Sequence, residues 1–178
     1  MPAEFATTHN HTAGGRYMAA VDYFIKFDGI KGESTDAKHK DEVDIESWSW
    51  GESHLGASGA GGGAGAGKVS MQDFHFMMKL NTASISLMKA CATGQHIKTA
   101  TLTARRSGKE QLEYLTFKLA DVLVSSYQTG GSEGGDAEMD AVSLNFAKIE
   151  VEYKPQKPDG SPGQAIQFKY DIKANKSY

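Results

Sequence analysis

A glycine-rich segment that ends in a lysine is the first candidate for chemistry in this sequence. Residues 62–68 read Gly-Gly-Ala-Gly-Ala-Gly-Lys, with the G-x-x-x-x-G-K spacing of loops that bind nucleotide phosphates. Such a loop needs Ser or Thr after the lysine to hold Mg²⁺, and it must open a helix whose amides face the anion. Val69 stands there instead, and the residues after it alternate like a strand. The segment therefore predicts no nucleotide cofactor.

A second motif resembles the nucleophile turn of serine hydrolases. Residues 130–134 read Gly-Gly-Ser-Glu-Gly, which fits G-x-S-x-G. That motif requires an acid and then a histidine later in the chain. The last histidine is His96, well before Ser132, so the required order is impossible. We predict a glycine turn here.

The remaining histidines and acidic residues lack the spacing of a metal centre or an acid–base pair. The histidines that follow the N-terminal extension show no His-x-x-x-His or Cys pairing typical of zinc. They are His39, His54, His75 and His96. Adjacent carboxylates such as Asp41 and Glu42 are typical of solvated charge. The lone Cys91 has small or apolar neighbours, which favours a buried thiol. We predict no catalytic residue, no cofactor and no metal, and therefore a structural protein rather than an enzyme.

Charge and hydropathy exclude some classes of partner and some cellular locations. The 178 residues carry a net charge of −3, with a pI of about 6.1 and no clustered basic patch, so no nucleic-acid partner is predicted. No apolar run approaches the roughly 20 residues that span a bilayer, so we predict no membrane insertion. The N-terminus lacks the apolar core of a secretory signal, so any export must proceed without a cleaved signal peptide.

A period of two residues predicts mainly β structure from Tyr23 onward. The candidate strands are 23–27, 43–50, 69–77, 97–105, 113–124, 142–153 and 166–172. Ile166, Phe168, Tyr170 and Ile172 of the last strand share one face. One short helix is predicted over residues 81–94, where Asn81 or Thr82 can cap the start and Gly94 the end. Within it the apolar residues Ile85, Met88 and Ala92 recur at helical spacing.

The apolar parity shifts by one residue within three of these strands. It shifts between Ile45 and Trp48, between Leu119 and Val122, and between Phe146 and Ile149. A bulge produces such a shift and bends the strand. Long strands that each bend once suit a sheet that closes on itself, so the predicted fold is a closed β-barrel of two antiparallel sheets with one short flanking α-helix.

The chain divides into two parts. Residues 1–17 are polar and aperiodic, which predicts a disordered N-terminal extension or a cloning remnant, and residues 18–178 form one predicted β-barrel domain. Glycine is concentrated in two of the connections between strands, with eight of the 20 glycines in residues 51–67. A loop of that length inside a compact domain is functional or disordered more often than it is incidental.

Several short motifs give the chain a resemblance to the Hcp family (haemolysin-coregulated protein), the tube subunit of the bacterial type VI secretion system. The resemblance runs from about Val21 to Asn175. The matching stretches are Gly32-Glu33-Ser34, His39-Lys40, Ser47-Trp48-Ser49-Trp50-Gly51, Val122-Leu123-Val124-Ser125-Ser126, Leu144-Asn145-Phe146 and Tyr153-Lys154-Pro155-Gln156.

The resemblance implies a role and a set of partners. It implies homo-hexameric rings that stack into a tube inside a contractile sheath, with a VgrG-type spike protein at the tip. Small effector proteins carried in the lumen are a further implied partner. The protein is then expected in the bacterial cytoplasm and, after export, outside the cell. A monomeric β-sandwich that binds a peptide or sugar through its glycine loops is the alternative, and the mass in solution distinguishes the two.

A cyclic ring requires two different patches of each subunit to meet head to tail. We predict one patch on the strand 142–153 and the other around residues 48–51, because each has more apolar residues than one core face requires. The ring-interface candidates are Trp48, Trp50, Asn145, Lys148 and Glu150. The glycine-rich loop 51–68 is predicted to contact the next ring, with Gly56, Ser58, Gly61, Gly63 and Gly65 as the ring-stacking candidates.

Overall fold

The computed structural model describes residues 21–54, 69–107, 111–135 and 137–178. The extension 1–17 and the glycine-rich stretch 55–68, with all five ring-stacking candidates, lie outside these ranges. The elements in chain order are β1 Val21–Phe27, β2 Val43–Ile45, β3 Ser47–Ser49, β4 Glu52–His54, β5 Val69–Met71, β6 Phe74–Lys79, α1 Thr82–Thr93, β7 His96–Arg106, β8 Glu113–Gly130, β9 Met139–Asn145, β10 Lys148–Tyr153, β11 Ile166–Asp171 and β12 Lys176–Ser177.

Ten strands form one antiparallel sheet, and β4 and β5 form a separate two-stranded ribbon. The main path runs β12-β11-β10-β8-β7-β1-β2, while β9 pairs with β8 and β6, and β3 pairs with β6. The mainly β class with one short helix is confirmed. The two sheets predicted from the sequence are instead one large sheet and a small ribbon.

The long strand β8 bends at Asp121 and so belongs to both halves of the sheet. Before the bend β8 pairs with β10, and after it with β9. Asp121 has a left-handed φ of 54° and is held by His96 Nδ1 at 2.8 Å and Lys173 Nζ at 2.6 Å. Leu119 and Val122, on either side of it, are both buried. The predicted parity shift therefore lies at a backbone bend.

The other two predicted parity shifts lie at breaks between two strands. Phe146 and Ala147 separate β9 from β10 and lie opposite the bend in β8. The two neighbouring segments of the sheet therefore bend at the same level. Glu46 alone separates β2, which pairs with β1, from β3, which pairs with β6. No strand pairing joins β2 to β6 or β3 to β1, so the described sheet is open between these two sides. The closed barrel stays a prediction.

The helix forms where the sequence predicts it but exposes the face that carries its spaced apolar residues. Asn81 Oδ1 accepts from the Ala83 amide at 2.9 Å, and Gly94 closes the C-terminus with a left-handed φ of 65°. The inner face buries small residues and one leucine: Ala83, Ser84, Leu87 and Ala90. Ile85 and Met88 lie outside. None of the described helices is long and apolar enough to cross a bilayer.

One hydrophobic core lies between the bent sheet and α1. Its fully buried large side chains come from nearly every strand of the main sheet and include Ile25, Val43, Phe74, Phe76, Leu102, Leu119, Val142, Leu144 and Ile149. The core does not reach the start of β11. Ile166, Phe168 and Tyr170 share a face as predicted, but Ile166 is 65% exposed. The outer part of β10 and β11 therefore extends beyond the core, with an apolar face that none of the described elements covers.

Candidate subunit interface

The two tryptophans among the ring-interface candidates cover one end of the core. The Trp48 ring stacks on Phe74 with centroids 5.7 Å apart and packs against Phe117 at 5.0 Å. Trp50 also approaches Phe117, and its Nε1 donates to the Gln72 carbonyl at 3.1 Å. Both are half-buried. The apolar excess that the sequence assigned to an interface is therefore used partly for packing within the subunit.

Asn145, Lys148 and Glu150 follow one another along β9 and β10, and each is held by a neighbour in the same chain. Asn145 Nδ2 donates to Asp73 at 2.9 Å, and Lys148 Nζ lies 2.9 Å from Asp171. The hydrogen bond to Asp171 raises the pKa of Lys148. Glu150 lies 3.5 Å from Lys169 Nζ. These side chains form a charged outer face that is largely neutralised within the subunit.

The structure does not bring the five candidates into one cluster. Trp48 lies opposite Phe76 of β6, and Phe76 lies opposite Val142 of β9, so a whole strand separates β3 from β9. The candidates thus lie on two surfaces, as a head-to-tail interface requires. Their role at a ring interface stays a prediction.

A surface that the sequence did not assign is the exposed apolar face where β10 ends and β11 begins. It consists of Tyr153, Ile166 and Phe168, and we call it the β11 patch. Tyr153 lies opposite Ile166 across the two strands. The regular alternation of residues 166–172 signalled this face, but nothing in the alternation showed that no other element covers it.

A second set of exposed apolar residues lies on the helix and directly before it. It consists of Leu80, Ile85 and Met88, and we call it the α1 patch. Ile85 is 65% exposed, although a helix that packs on a sheet usually turns its larger apolar residues inward. The sequence spacing indicated that Ile85 and Met88 share one face of the helix, and the structure shows that this face is the exposed one.

A buried polar cluster fixes the helix against the end of β8. Ser84 Oγ donates to Asp140 Oδ2 at 2.6 Å, and Tyr127 of β8 lies beside them. Burial and the neighbouring Asp140 carboxylate raise the pKa of the Tyr127 phenol to about 12. Since the phenol stays neutral at physiological pH, this cluster acts as structural support.

A shallow groove of about 370 Å³ on the outer face of β3, β6, β9 and β8 contains the arrangement nearest to catalytic geometry. His75 Nδ1 lies 2.7 Å from Ser143 Oγ, and Ser126 Oγ donates to the same oxygen at 2.7 Å. A hydrolase would need a carboxylate to orient the far side of the ring. None of the polar contacts found in the described ranges joins His75 to an acid. His75, Ser143 and Ser126 are therefore interpreted as a hydrogen-bonded row of surface side chains.

The structure describes one of the two motifs that imitate catalytic loops. Ser132 lies in a turn between β8 and β9, so no helix follows it and the predicted glycine turn is confirmed. The segment 62–68 lies outside the described residues, but strand β5 begins at Val69, directly after it. Within the described ranges no group of three or more His, Cys, Asp or Glu residues could hold a metal ion.

Comparisons with known proteins agree on one family. A family model described as "Type VI secretion system effector, Hcp" matches residues 24–153. The chain is 52% identical to protein hcp1 of Pseudomonas aeruginosa over 158 residues, which cover 88% of this chain and 98% of that protein. The crystal structure of Hcp1 from Salmonella typhimurium superposes with a TM-score of 0.74 at 36% identity, covering 90% of this chain and all of that one. A structure described as a type six secretion system protein gives a TM-score of 0.84 at 29% identity, covering 89% and 100%.

Proposed function

Since this chain belongs to the Hcp family of type VI secretion proteins, we propose that it is the structural subunit of the secretion tube, forming hexameric rings that stack. The observation that carries this proposal is the apolar surface left uncovered at two places on the subunit. A subunit that functioned alone would expose this surface to water, whereas ring formation can bury it.

The pairing of the bent strands favours barrel closure within each subunit. The described sheet branches at β8, and β2 and β3 are two of its three terminal strands, yet Glu46 alone joins them. Its amide donates to the Met77 carbonyl of β6 at 2.8 Å. One continuous chain therefore connects β1 on one side with β6 on the other, which is the geometry of a sheet that closes through a shared strand.

The ribbon of β4 and β5 supports a stacking role for the glycine-rich loop. His54 lies opposite Val69, so the two described residues that flank residues 55–68 are paired neighbours in the ribbon. Glycine and alanine allow close approach to another backbone. We assign this loop to the contact between consecutive rings.

The family assignment also supports the proposed route and partners. The rings form in the bacterial cytoplasm within a contractile sheath, carry a VgrG-type spike and small effector proteins, and leave the cell through the type VI apparatus. The Hcp proteins are a structural, secreted family, and among the described residues the groove beside His75 brings together only the histidine and two serines.

Native mass spectrometry with electron microscopy of the purified protein tests the ring. A hexamer has about six times the 19.2 kDa of one chain and shows a central channel in projection. A species of one chain at all concentrations would favour the binding module instead. Export is tested by comparing culture supernatants with and without the sheath, where recovery of the protein without sheath or lysis would contradict the proposed route.

A further inference from the structure

His39 is a buried titratable side chain to which the proposed tube function assigns no role. It lies in the loop between β1 and β2, and its ring stacks on Phe24 with the centroids 4.2 Å apart and the planes 8° from parallel. This stacking fixes the plane of the imidazole, so its two nitrogens point in set directions. Each of the two nitrogens faces a carboxylate.

The two carboxylates come from different parts of the chain. Nδ1 of His39 lies 2.9 Å from Glu42 Oε2, in the same loop, and Nε2 lies 3.6 Å from Oε1 of Glu113, the first residue of β8. The Glu42 side chain is only 12% exposed, whereas that of Glu113 is 42% exposed and has room to move closer. The acids face different nitrogens of the ring, so they enclose the imidazole itself and not a shared ion.

A neutral imidazole cannot satisfy both carboxylates. One of its nitrogens carries a hydrogen and the other carries a lone pair. If Nδ1 donates to Glu42, the Nε2 lone pair faces an oxygen that also only accepts, and Nε2 is buried with no hydrogen-bond partner among the described residues. If Nε2 carries the hydrogen, the mismatch moves to the 2.9 Å contact with Glu42. Only the doubly protonated ring donates on both sides.

Other acidic groups near the ring also favour its charged form. Asp36 accepts from the His39 amide at 3.2 Å, and Asp44 of β2 lies near enough to respond to a charge on His39. Burial raises the pKa of Asp44, and the charge of His39 acts in the opposite direction. Burial alone disfavours an imidazolium, but carboxylates within about 4–6 Å act the other way.

The basic groups nearby do not cancel these acids. They are Arg105 of β7, Lys154 directly after β10, and Lys38 and Lys40 on either side of His39 in the loop. Arg105 pairs with Asp36 at 2.7 Å. Lys154 pairs with Glu152 at 2.9 Å. Lys38 and Lys40 are exposed to solvent, which screens their charge, so the local field favours a positive ring.

We propose that His39 is a proton-dependent clamp. When its ring takes up a second proton in mildly acidic solution, it donates to Glu42 and Glu113 together and thereby joins the β1–β2 loop to the start of β8. The same loop carries Glu33, which accepts from the Thr82 amide, so the clamp also supports the start of helix α1. All of these groups belong to one subunit, so the inference goes beyond the proposed tube function and does not depend on it.

The clamp acts within a defined range of pH. Because the folded state favours the charged ring, the clamp stabilises the fold below the ordinary histidine pKa of about 6.5, and this contribution is lost as the pH rises toward 8. Below about pH 4.5 the two glutamates themselves take up protons, and the clamp opens again. The stabilising effect is therefore largest between these two values.

Urea unfolding of the full chain at pH 8 and pH 6, at one protein concentration, tests the clamp. His39→Gln keeps a polar side chain that cannot take up a proton, and Glu113→Gln replaces the carboxylate that faces Nε2. The unfolding equilibrium constant of the unaltered protein should fall about tenfold more on acidification than that of His39→Gln, which corresponds to a preference of about one pH unit for the charged ring. Glu113→Gln should lose most of this difference. His54→Gln, at an exposed position of the β4–β5 ribbon, is the matched control and should retain all of it.

A double variant shows whether the two residues act through each other. His39→Gln combined with Glu113→Gln should have the pH dependence of His39→Gln alone, because the carboxylate has no clamp to close once the imidazole is absent. Additive losses would show that Glu113 acts on another group, and the proposed pairing would be wrong.

The single variants separate the two sides of the clamp. If His39→Gln and the unaltered protein respond equally to pH, the response comes from other groups and the clamp is wrong. If His39→Gln loses the response while Glu113→Gln keeps all of it, Glu42 alone holds the proton and the bridge to β8 is wrong. If circular dichroism shows that His39→Gln does not fold without the stack on Phe24, the half-exposed Glu113→Gln decides by itself, and a full response there overturns the proposal.

Discussion

At the scale of single residues, the motif Gly32-Glu33-Ser34 owes its identity to three contacts within the subunit. A Cβ on Gly32 would collide with the backbone carbonyl of Glu42, so no other residue fits there without a shift. Glu33 accepts from the amide of Thr82 at the helix start at 2.9 Å. The Ser34 amide donates to the Glu42 carbonyl at 3.0 Å. This motif therefore positions a loop and caps the helix.

The same loop is fixed to the sheet by a buried arginine. Arg105 donates to both carboxylate oxygens of Asp36, at 2.7 and 2.9 Å, and to Asp22 at 3.0 Å. Its guanidinium lies over the ring of Phe24, whose ring also stacks on His39. The hydrogen bonds from Arg105 hold the pKa of Asp36 well below the ordinary range.

The lowered pKa of Asp36 predicts a contribution to acid sensitivity. Because the folded state favours the ionised carboxylate, Asp36 stabilises the fold above its unfolded pKa of about 4, and this contribution is lost as the pH falls below that value. Asp36→Asn should therefore lower the urea midpoint at pH 7 but lose less stability than the unaltered protein between pH 7 and pH 3.

Urea unfolding at the two pH values measures this difference. Asp28→Asn, at an exposed turn away from Arg105, is the control and should behave like the unaltered protein. An equal loss of stability on acidification in the unaltered protein and in Asp36→Asn would show that other carboxylates dominate.

At the scale of elements, the termini of α1 decide where the helix lies. Asn81 satisfies the Ala83 amide, while Ser84 Oγ accepts from the Asn81 amide at 2.9 Å, so the two residues form a reciprocal cap. The inner face contributes small side chains, so the helix can approach the sheet closely. Its larger apolar residues are consequently left outside.

Removal of the N-cap tests how far the helix depends on it. Asn81→Ala should lower the free energy of unfolding by about 0.5–2 kcal/mol, because the Ala83 amide loses the side-chain oxygen that accepts its hydrogen bond. Chemical denaturation measures the change. Ser86→Ala, at an exposed mid-helix position, is the control and should be near neutral. A loss for Asn81→Ala no larger than that of the control would mean that Glu33 alone is a sufficient cap.

At the scale of the whole molecule, assembly and stacking should be separable. The uncovered apolar surfaces that the ring is proposed to bury lie on β10, β11 and α1. The glycine-rich segment instead connects the two strands of the β4–β5 ribbon, which is a separate sheet. Changes in the loop should therefore leave the ring contacts intact.

Deletion of residues 57–66 tests this separation. Hexamers should persist in native mass spectrometry, while tube assembly and export are lost, because many loop contacts per ring otherwise reinforce one another. Replacement of the same residues by an equally long Gly/Ser segment is the control for length. Normal tubes and export after the deletion would show that the loop is a tolerated linker.

Local patterning determined the elements of this protein before any tertiary contact was considered. Alternation predicted the strands, and the cap residues predicted the helix, because hydrogen-bond partners and side-chain period act within a few residues. Even the bends were visible as parity shifts, as at Asp121, since a displaced residue changes the face of every side chain after it.

Only the tertiary structure decided which apolar faces are covered. Trp48 and Ile166 both lie on apolar strand faces, yet Trp48 packs on Phe74 within the core and Ile166 lies in the open. Ile85 has helical spacing and is nevertheless on the outer side. Burial depends on partners that are distant in sequence, so the alternation that placed these residues on one face could not show whether another element, or another subunit, lies against it.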